Sequence, residues 1–127
     1  MFTIHKPSSI PVPASTFAHA VTVEGATRWL LISGQTGAYP REDLIGDSSE
    51  QIQECFQRIF TILADANMEK TNIVKINVFL TRPEDVALYR EIRDKSMDGH
   101  ITASTMLIVS GLADPGWFVE IEAIAAA

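Results

Sequence analysis

The sequence predicts an α+β fold in which a six-stranded mixed sheet carries two helices on one face. Two segments have the apolar spacing of amphipathic helices, and one long apolar run is rich in β-branched residues. Two alternating segments, typical of strands, close the chain. Its 127 residues are the length expected of one domain, 1–127.

The N-terminal part is predicted to form strands. An extra short strand fits Phe2–His5, and residues 6–16 are rich in Pro and Ser and predict an irregular lead-in. Residues 19–23 and 28–33 are apolar and separated by a short polar stretch, which predicts a hairpin. A loop follows, with glycines and a proline at Gly34, Gly37, Pro40 and Gly46.

The next segment has the pattern of an amphipathic helix. Ser48 and Gln51 have the spacing of a capping box at its start. Five apolar side chains then share one helical stripe, and Asn67 is a suitable end. The stripe consists of Ile52, Phe56, Ile59, Phe60 and Leu63.

Residues 73–80 predict a central strand, with Val74, Ile76, Val78 and Leu80 on one face. A second helix is predicted over 83–97, because Thr81 and Glu84 repeat the capping-box spacing and Pro83 suits a first turn. Its buried side is marked by Val86, Tyr89, Ile92 and Met97.

Two further strands are predicted around residues 104–109 and 118–124, giving the order β-β-α-β-α-β-β. With both helices on one face, the other face of the sheet keeps apolar side chains without a cover. A monomer rarely exposes a large apolar patch, so the pattern predicts self-association.

Composition excludes several classes of protein. The net charge of -6 disfavours nucleic acid as a partner. The single cysteine, Cys55, excludes an intrachain disulfide and a Cys-rich zinc site, and its place on a helix indicates packing. No apolar run is long enough for a membrane span, and the N-terminus lacks the apolar core of a signal peptide. The expected location is the cytoplasm, with no membrane partner.

Glu120 and Glu122 are the first candidates for chemistry. Because alternate residues of a strand point the same way, both carboxylates project from one face, between apolar neighbours. Such a pair suits general acid–base catalysis, although a solvated outer face of a strand would have the same pattern. Ser33-Gly34-Gln35 ends a strand; the glycine permits close backbone approach to a ligand, and the same tripeptide also occurs in ordinary turns.

Two arginines one turn apart on the second helix, Arg90 and Arg93, could hold a carboxylate. Pairing with neighbouring acids is the expected role of Arg93, whereas Arg90 is equally compatible with either role. The three histidines, His5, His19 and His100, are too widely spaced to predict a metal site.

Three segments together resemble the YjgF/RidA family of enamine/imine deaminase-like proteins. They are residues 31–35 (LISGQ), residues 74–80 (VKINVFL) and residues 119–125 (VEIEAIA), and their order and spacing also match. The resemblance implies a homotrimer with ligand clefts between subunits. It also implies hydrolysis of reactive enamines or imines without a metal or organic cofactor.

The resemblance assigns the family's glutamate to Glu120 and its serine to Ser33, beside Gly34. In the family an arginine binds the substrate carboxylate, and the matching position here is Ser104. The cysteine often found two residues later is Met106, the early tyrosine is Phe17, and a frequent asparagine falls at Arg90. The chain therefore resembles a divergent branch that lacks the carboxylate-binding arginine.

Two functions are compatible with this pattern. The first is a small-molecule hydrolase of deaminase type with a substrate other than the usual 2-iminoacids. The second is a binding module that holds a metabolite in the same cleft without turnover. Arg90 could supply the missing cation, or it could pair with a carboxylate of its own chain, Glu120 among them.

Overall fold

The computed structural model describes residues 1–37 and 46–127. The predicted loop residue Pro40 lies outside these ranges. Strands and helices follow one another in the predicted order, with short 3₁₀ turns at Lys70–Asn72 and Pro83–Asp85. The elements are β1 (Phe2–His5), β2 (Ala20–Val23), β3 (Trp29–Thr36), α1 (Ser48–Asp65), β4 (Ile73–Leu80), α2 (Val86–Met97), β5 (Ala103–Ile108) and β6 (Val119–Ala126).

The α+β class is confirmed, and the six strands are divided between two sheets. Strands β3, β6, β4 and β5 form a four-stranded sheet in that order, in which β4 and β5 are parallel and the other pairs antiparallel. Strands β1 and β2 form a separate antiparallel ribbon. One backbone bridge, between Ala18 and Ala103, joins the start of β2 to β5.

The predicted hairpin between residues 19–23 and 28–33 does not form. Strand β2 pairs with β1 instead, with Phe2 opposite Val23, and β3 pairs with β6, with Trp29 opposite Ala126. Backbone hydrogen bonds between Arg28 and Ala127 continue the β3–β6 pairing past the strand ends. Both alternating segments therefore form strands, but each finds a partner distant in sequence.

Helix α1 begins one residue earlier than the capping box predicted. Asp47 is the N-cap, and its carboxylate accepts a hydrogen bond from the Glu50 backbone N–H at 2.9 Å. The predicted cap, Ser48, donates to Asp85 of the second 3₁₀ turn at 3.0 Å. Asn67 follows the helix in the left-handed conformation, as a terminating residue often does.

The second helical segment covers the predicted residues, as a 3₁₀ turn followed by α2. Pro83 occupies the start of the turn, but no side chain caps it, so the second predicted capping box is wrong. Asp98 and Gly99 both have positive φ after α2 and reverse the chain towards β5.

The core lies between the two helices and one face of the four-stranded sheet. Phe56 of α1 stacks on Tyr89 of α2, with ring centroids 6.1 Å apart. Alternate residues of the strands complete the core, and Val78, Val119 and Ile121 are fully buried. Both helices therefore cover the same face, as the sequence predicted.

The opposite face, here called the open face, carries the alternate residues of the same strands. Leu31 is 75% exposed, Trp29 54% and Leu107 49%. Glu120 and Glu122 share this face, because β6 buries Val119 and Ile121 in the core. The open face therefore combines apolar side chains with the candidate carboxylates.

Candidate functional site

The Ser33-Gly34 pair forms a β-bulge in strand β3. Ile32 pairs with Ala123 and Gln35 with Ile121, so the two bulge residues oppose Glu122 alone. Within the bulge, the Gln35 side-chain amide donates to the Ser33 carbonyl at 3.0 Å. Bulges re-aim side chains, and this one lies where two candidate segments predicted from the sequence meet.

The carboxylate of Glu120 lies directly against Gly34. A Cβ built at position 34 would lie 2.9 Å from Glu120 Cγ and 2.7 Å from its Cδ, closer than real Cβ contacts come. Glycine therefore allows a close approach here, as the sequence suggested, and the approaching group is the candidate carboxylate, which would have to move if position 34 carried a side chain. Among the described residues, the Glu120 carboxylate has no hydrogen bond or ion pair.

Glu122 differs from Glu120 in having a fixed partner. Its Oε1 accepts a hydrogen bond from the Asn77 side-chain amide on β4 at 3.0 Å. Ser33 lines the same hollow of the open face, which has a volume of about 230 Å³. The two carboxylates thus have distinct environments, because only Glu122 is hydrogen-bonded by Asn77. The sequence analysis did not identify Asn77 as this partner.

Phe17 lines a different cavity, of about 400 Å³, between the lead-in and the β1–β2 ribbon. Its ring meets that of His19 edge to face, with centroids 6.4 Å apart. The other walls come from lead-in residues such as Ile10 and from Ile101 before β5. Within one chain, Phe17 is thus separated from the bulge that holds Ser33 and Gly34.

Ser104 and Met106 lie on the core side of β5. They pair with Ile76 and Val78, whose side chains are buried under the helices. One chain therefore places Ser104 and Met106 on the face of the sheet opposite to Glu120. Ser104 lines a cavity of about 230 Å³, and Met106 packs against the core.

The arginine beside Ser104 is Arg93, which lines the same cavity. Arg93 is only 6% exposed and is paired with Asp94 through two nitrogens, Nε at 3.1 Å and Nη2 at 2.9 Å. The predicted pairing with a neighbouring acid is confirmed. The burial of Arg93 could have been predicted from sequence, because it falls four residues after Tyr89 and four before Met97 on the buried stripe of α2.

Arg90 is half-buried on α2, and its Nε is enclosed without a hydrogen-bond partner in the described part of the chain. It does not line the cavity around Ser104. No ion pair joins it to Glu120 or to another acid in residues 1–37 and 46–127. A role for Arg90 towards a ligand stays a prediction.

Cys55 is buried on α1, and its thiol donates to the Gln35 carbonyl at 3.2 Å. Burial raises the pKa of Cys55 to about 12, because the thiolate would lose hydration. The thiol is therefore neutral at physiological pH and braces the strand just beyond the bulge. This agrees with a packing role rather than a nucleophilic one.

The three histidines are engaged separately. His5 contacts the Thr22 hydroxyl, whereas His19 and His100 each contact a backbone carbonyl at 2.7 Å, those of Pro11 and Ile73. Across residues 1–37 and 46–127, no group of three or more potential metal ligands is close enough to hold an ion. Nor does any helix within those ranges have the length and apolarity to cross a membrane.

Comparison with known proteins shows which family this chain belongs to. The family model described as Endoribonuclease L-PSP, which represents the YjgF/RidA proteins, matches residues 7–127. This chain belongs to the YjgF/RidA family. The match covers the bulge, the Glu120 strand and the Ser104 strand together, so the resemblance found in the sequence is confirmed.

Two relatives show the range of this YjgF/RidA membership. A RutC family protein of Aquifex aeolicus is 32% identical over 90 residues, which are 70% of this chain and 67% of that protein. The 2-iminobutanoate/2-iminopropanoate deaminase of Rattus norvegicus is 30% identical over 120 residues, or 93% of this chain and 85% of that enzyme. The family thus includes an imine deaminase.

Solved structures agree on the YjgF/RidA fold. A Rid family protein of Yersinia pestis superposes with a TM-score of 0.88 at 24% identity, covering 99% of this chain and 98% of that one. Yeast Mmf1 superposes with a TM-score of 0.71 at 28% identity and the same coverage. A curated relative from Saccharomyces cerevisiae is named as mitochondrial, so a cytoplasmic location for this chain stays a prediction.

Proposed function

We propose that this protein hydrolyses the carbon–nitrogen bond of a reactive imine or enamine, with Glu120 as the catalytic carboxylate. The observation that carries the proposal is the placement of Glu120 against Gly34, with both oxygens unpartnered among the described residues. Glu122 accepts a hydrogen bond from Asn77, and in this proposal it does not act as a second general base. The deaminase of Rattus norvegicus supports the reaction class.

The chemistry requires one water and no external cofactor. Glu120 accepts a proton from water while the water oxygen bonds to the imine carbon, and the carbon–nitrogen π electrons move to nitrogen. The Glu120 carboxylic acid returns this proton to the nitrogen, giving a carbinolamine. The carbinol O–H proton is then transferred to the same nitrogen through Glu120, so that the carbonyl forms as the carbon–nitrogen bond breaks and ammonia leaves. Imine and water thus give a carbonyl compound and ammonia; an enamine first tautomerises to the imine.

The complete site is proposed to lie in clefts between the subunits of a homotrimer. One chain holds Glu120, Ser33 and Gly34 on the open face and Ser104 on the opposite face. A second copy is therefore needed to bring the two groups together. In this arrangement Ser33 and Gly34 hold the substrate from one copy, and Phe17, Ser104 and Met106 shape the cleft from another.

Ammonia release from a panel of imines, enamines and aminated ring-cleavage products tests the hydrolysis. Glu120→Gln should lower the rate about 10²–10⁴-fold, the usual contribution of a general base. Glu122→Gln, a matched change two residues away on the same face, should have a much smaller effect. Equal rates for wild type and Glu120→Gln on every active substrate would refute the assignment.

A binding module without turnover is the second candidate. It is favoured by Ser104 at the position of the family's arginine and by the cavities of about 400 and 230 Å³. In that case ligands would raise the melting temperature without any product being formed. The acidic chain, of net charge -6, makes binding of a nucleic acid the less favoured outcome.

A further inference from the structure

The cavity around Ser104 combines an apolar wall with several polar side chains. It lies between the C-terminal half of α2 and the start of β5, and Ile76 and Met97 form its apolar part. Three hydroxyl side chains surround it, and each can donate or accept a hydrogen bond. They belong to Thr16, Thr102 and Ser104.

The charged group of this cavity, Arg93, has unused hydrogen-bond donors. A guanidinium carries five N–H groups. Two of them reach Asp94 Oδ1, and Nη1 makes a long contact of 3.4 Å with the Ser15 hydroxyl. Two N–H groups therefore have no protein acceptor in the described residues, although Arg93 is 6% exposed. Buried donors are normally paired, which calls for an acceptor in the cavity.

Asp94 leaves room for such an acceptor. Its side chain is 49% exposed and binds Arg93 through a single oxygen. Its other oxygen has only a 3.5 Å contact with Thr16. Asp94 also lines the cavity, but its half-exposed carboxylate is screened by solvent, so the guanidinium can bind a second oxyanion through its remaining edge.

We infer that this cavity binds a small carboxylate through Arg93, with the Ser104 hydroxyl as a second donor. The charge missing from the strand position of Ser104 is supplied from helix α2. A planar carboxylate matches the guanidinium fork, and the volume of about 230 Å³ limits the ligand to a few carbon atoms beyond it. Carboxylate binding does not depend on the proposed hydrolysis. Only the further step, in which the bound carboxylate is a substrate, rests on the proposed function.

Titration of the full-length protein with propanoate and with propanamide tests this inference. The two probes have nearly the same shape, and only propanoate is charged. Backbone amide NMR should show millimolar or tighter binding of propanoate, with the largest shifts at Ser104 and Thr102. Arg93→Met should weaken it tenfold or more, the effect of losing a charge-assisted pair. Lys95→Met removes another cation from the same helix, one that pairs with Glu91 and does not line the cavity, so it is the matched control and should bind like wild type.

A second variant protects the test against misfolding of Arg93→Met. Ser104→Asp leaves Arg93 in place and gives it a competing carboxylate, so propanoate binding should again fall at least tenfold. Wild-type affinity in both variants would overturn the inference, as would equal affinity for propanamide or loss of binding in Lys95→Met alone. Tighter binding of inorganic phosphate than of propanoate would overturn the carboxylate assignment. Ammonia release is measured separately, so failure of the hydrolysis leaves this result readable.

Discussion

The carboxylate of Glu120 occupies the space in which a side chain on Gly34 would begin. This contact couples the bulge of β3 to the catalytic candidate on β6. Any side chain at position 34 has to displace the Glu120 carboxylate or distort the bulge. The glycine and the glutamate should therefore behave as a pair.

Gly34→Ala is expected to lower the free energy of unfolding by about 0.5–1.5 kcal/mol, the cost of forcing the Glu120 side chain out of its rotamer. In a Glu120→Ala background the same change should cost much less, because the colliding carboxylate is gone. Urea unfolding of both single variants and the double variant gives this coupling energy, expected at about 0.5–1 kcal/mol. Additive effects would show that the Glu120 carboxylate moves away from a side chain at position 34 without loss of stability.

A buried network at the start of both helices predicts a second coupling. Asp85 is 5% exposed and accepts hydrogen bonds from Ser48 and Arg82, each at 3.0 Å. The Arg82 guanidinium lies 3.9 Å above the Phe118 ring and so connects both helices to β6. The free energy of unfolding should thus depend strongly on Asp85.

Asp85→Ala should lower the free energy of unfolding by about 1–3 kcal/mol, because the buried Ser48 hydroxyl loses its acceptor. Glu84→Ala is the matched control. Glu84 pairs with the same arginine at 3.5 Å, but its side chain is 68% exposed, so little change is expected. Chemical denaturation compares the two; similar losses would mean that the network adds nothing beyond surface charge.

Cys55 predicts a dependence of stability on alkaline pH. Its pKa is about 12 when folded and has the ordinary value of 9.0 when unfolded, so the unfolded thiol ionises first. Its contribution is complete below pH 9 and is lost as pH rises from 9 towards 12. Cys55→Ala should make the decline in unfolding free energy over this range shallower. An unchanged slope, or rapid alkylation of the native thiol at pH 8, would contradict burial of Cys55.

Much of this fold follows from local pattern. The stripe of α1, the alternation of β4 and the periodicity of β6 each identify a core face, because one-sided burial fixes the register. Strand pairing did not follow, since β2 and β3 are adjacent in sequence but bond to β1 and β6. Alternation shows which side chains are buried and leaves the partner strand undetermined.

The candidate site shows the same division. Glu120, Ser33 and Gly34 could be named from sequence, and the structure places them around one bulge. Arg90 was one candidate for a cation near the site, and its role stays a prediction; the arginine that lines the cavity with Ser104 is Arg93. From sequence alone, an arginine on the buried stripe of a helix, next to an acidic residue, predicts only an ion pair. Only the position of β5 reveals the cavity in front of it.

The open face gives the last prediction, which concerns assembly. Leu31, 75% exposed, lies on this face beside Ile124 of β6. Burying a leucine of this kind contributes about 1.5–3 kcal/mol, and a carboxylate at the same place in an interface costs more than that. Leu31→Glu should therefore convert a homotrimer of about three times 14.0 kDa into monomers. Because the side chain is exposed in the single chain, the monomer should keep its fold and its circular dichroism spectrum.

Ala64→Glu is the matched control, since Ala64 is exposed on α1, which covers the other face of the four-stranded sheet. It should leave the assembly intact. Light scattering coupled to size-exclusion chromatography at micromolar concentration distinguishes the outcomes. A monomeric wild type would remove the trimer and the clefts between subunits. If Leu31→Glu remains a trimer, the interface does not include the open face. Glu120 would then lack a second copy that contributes Ser104 to the same site.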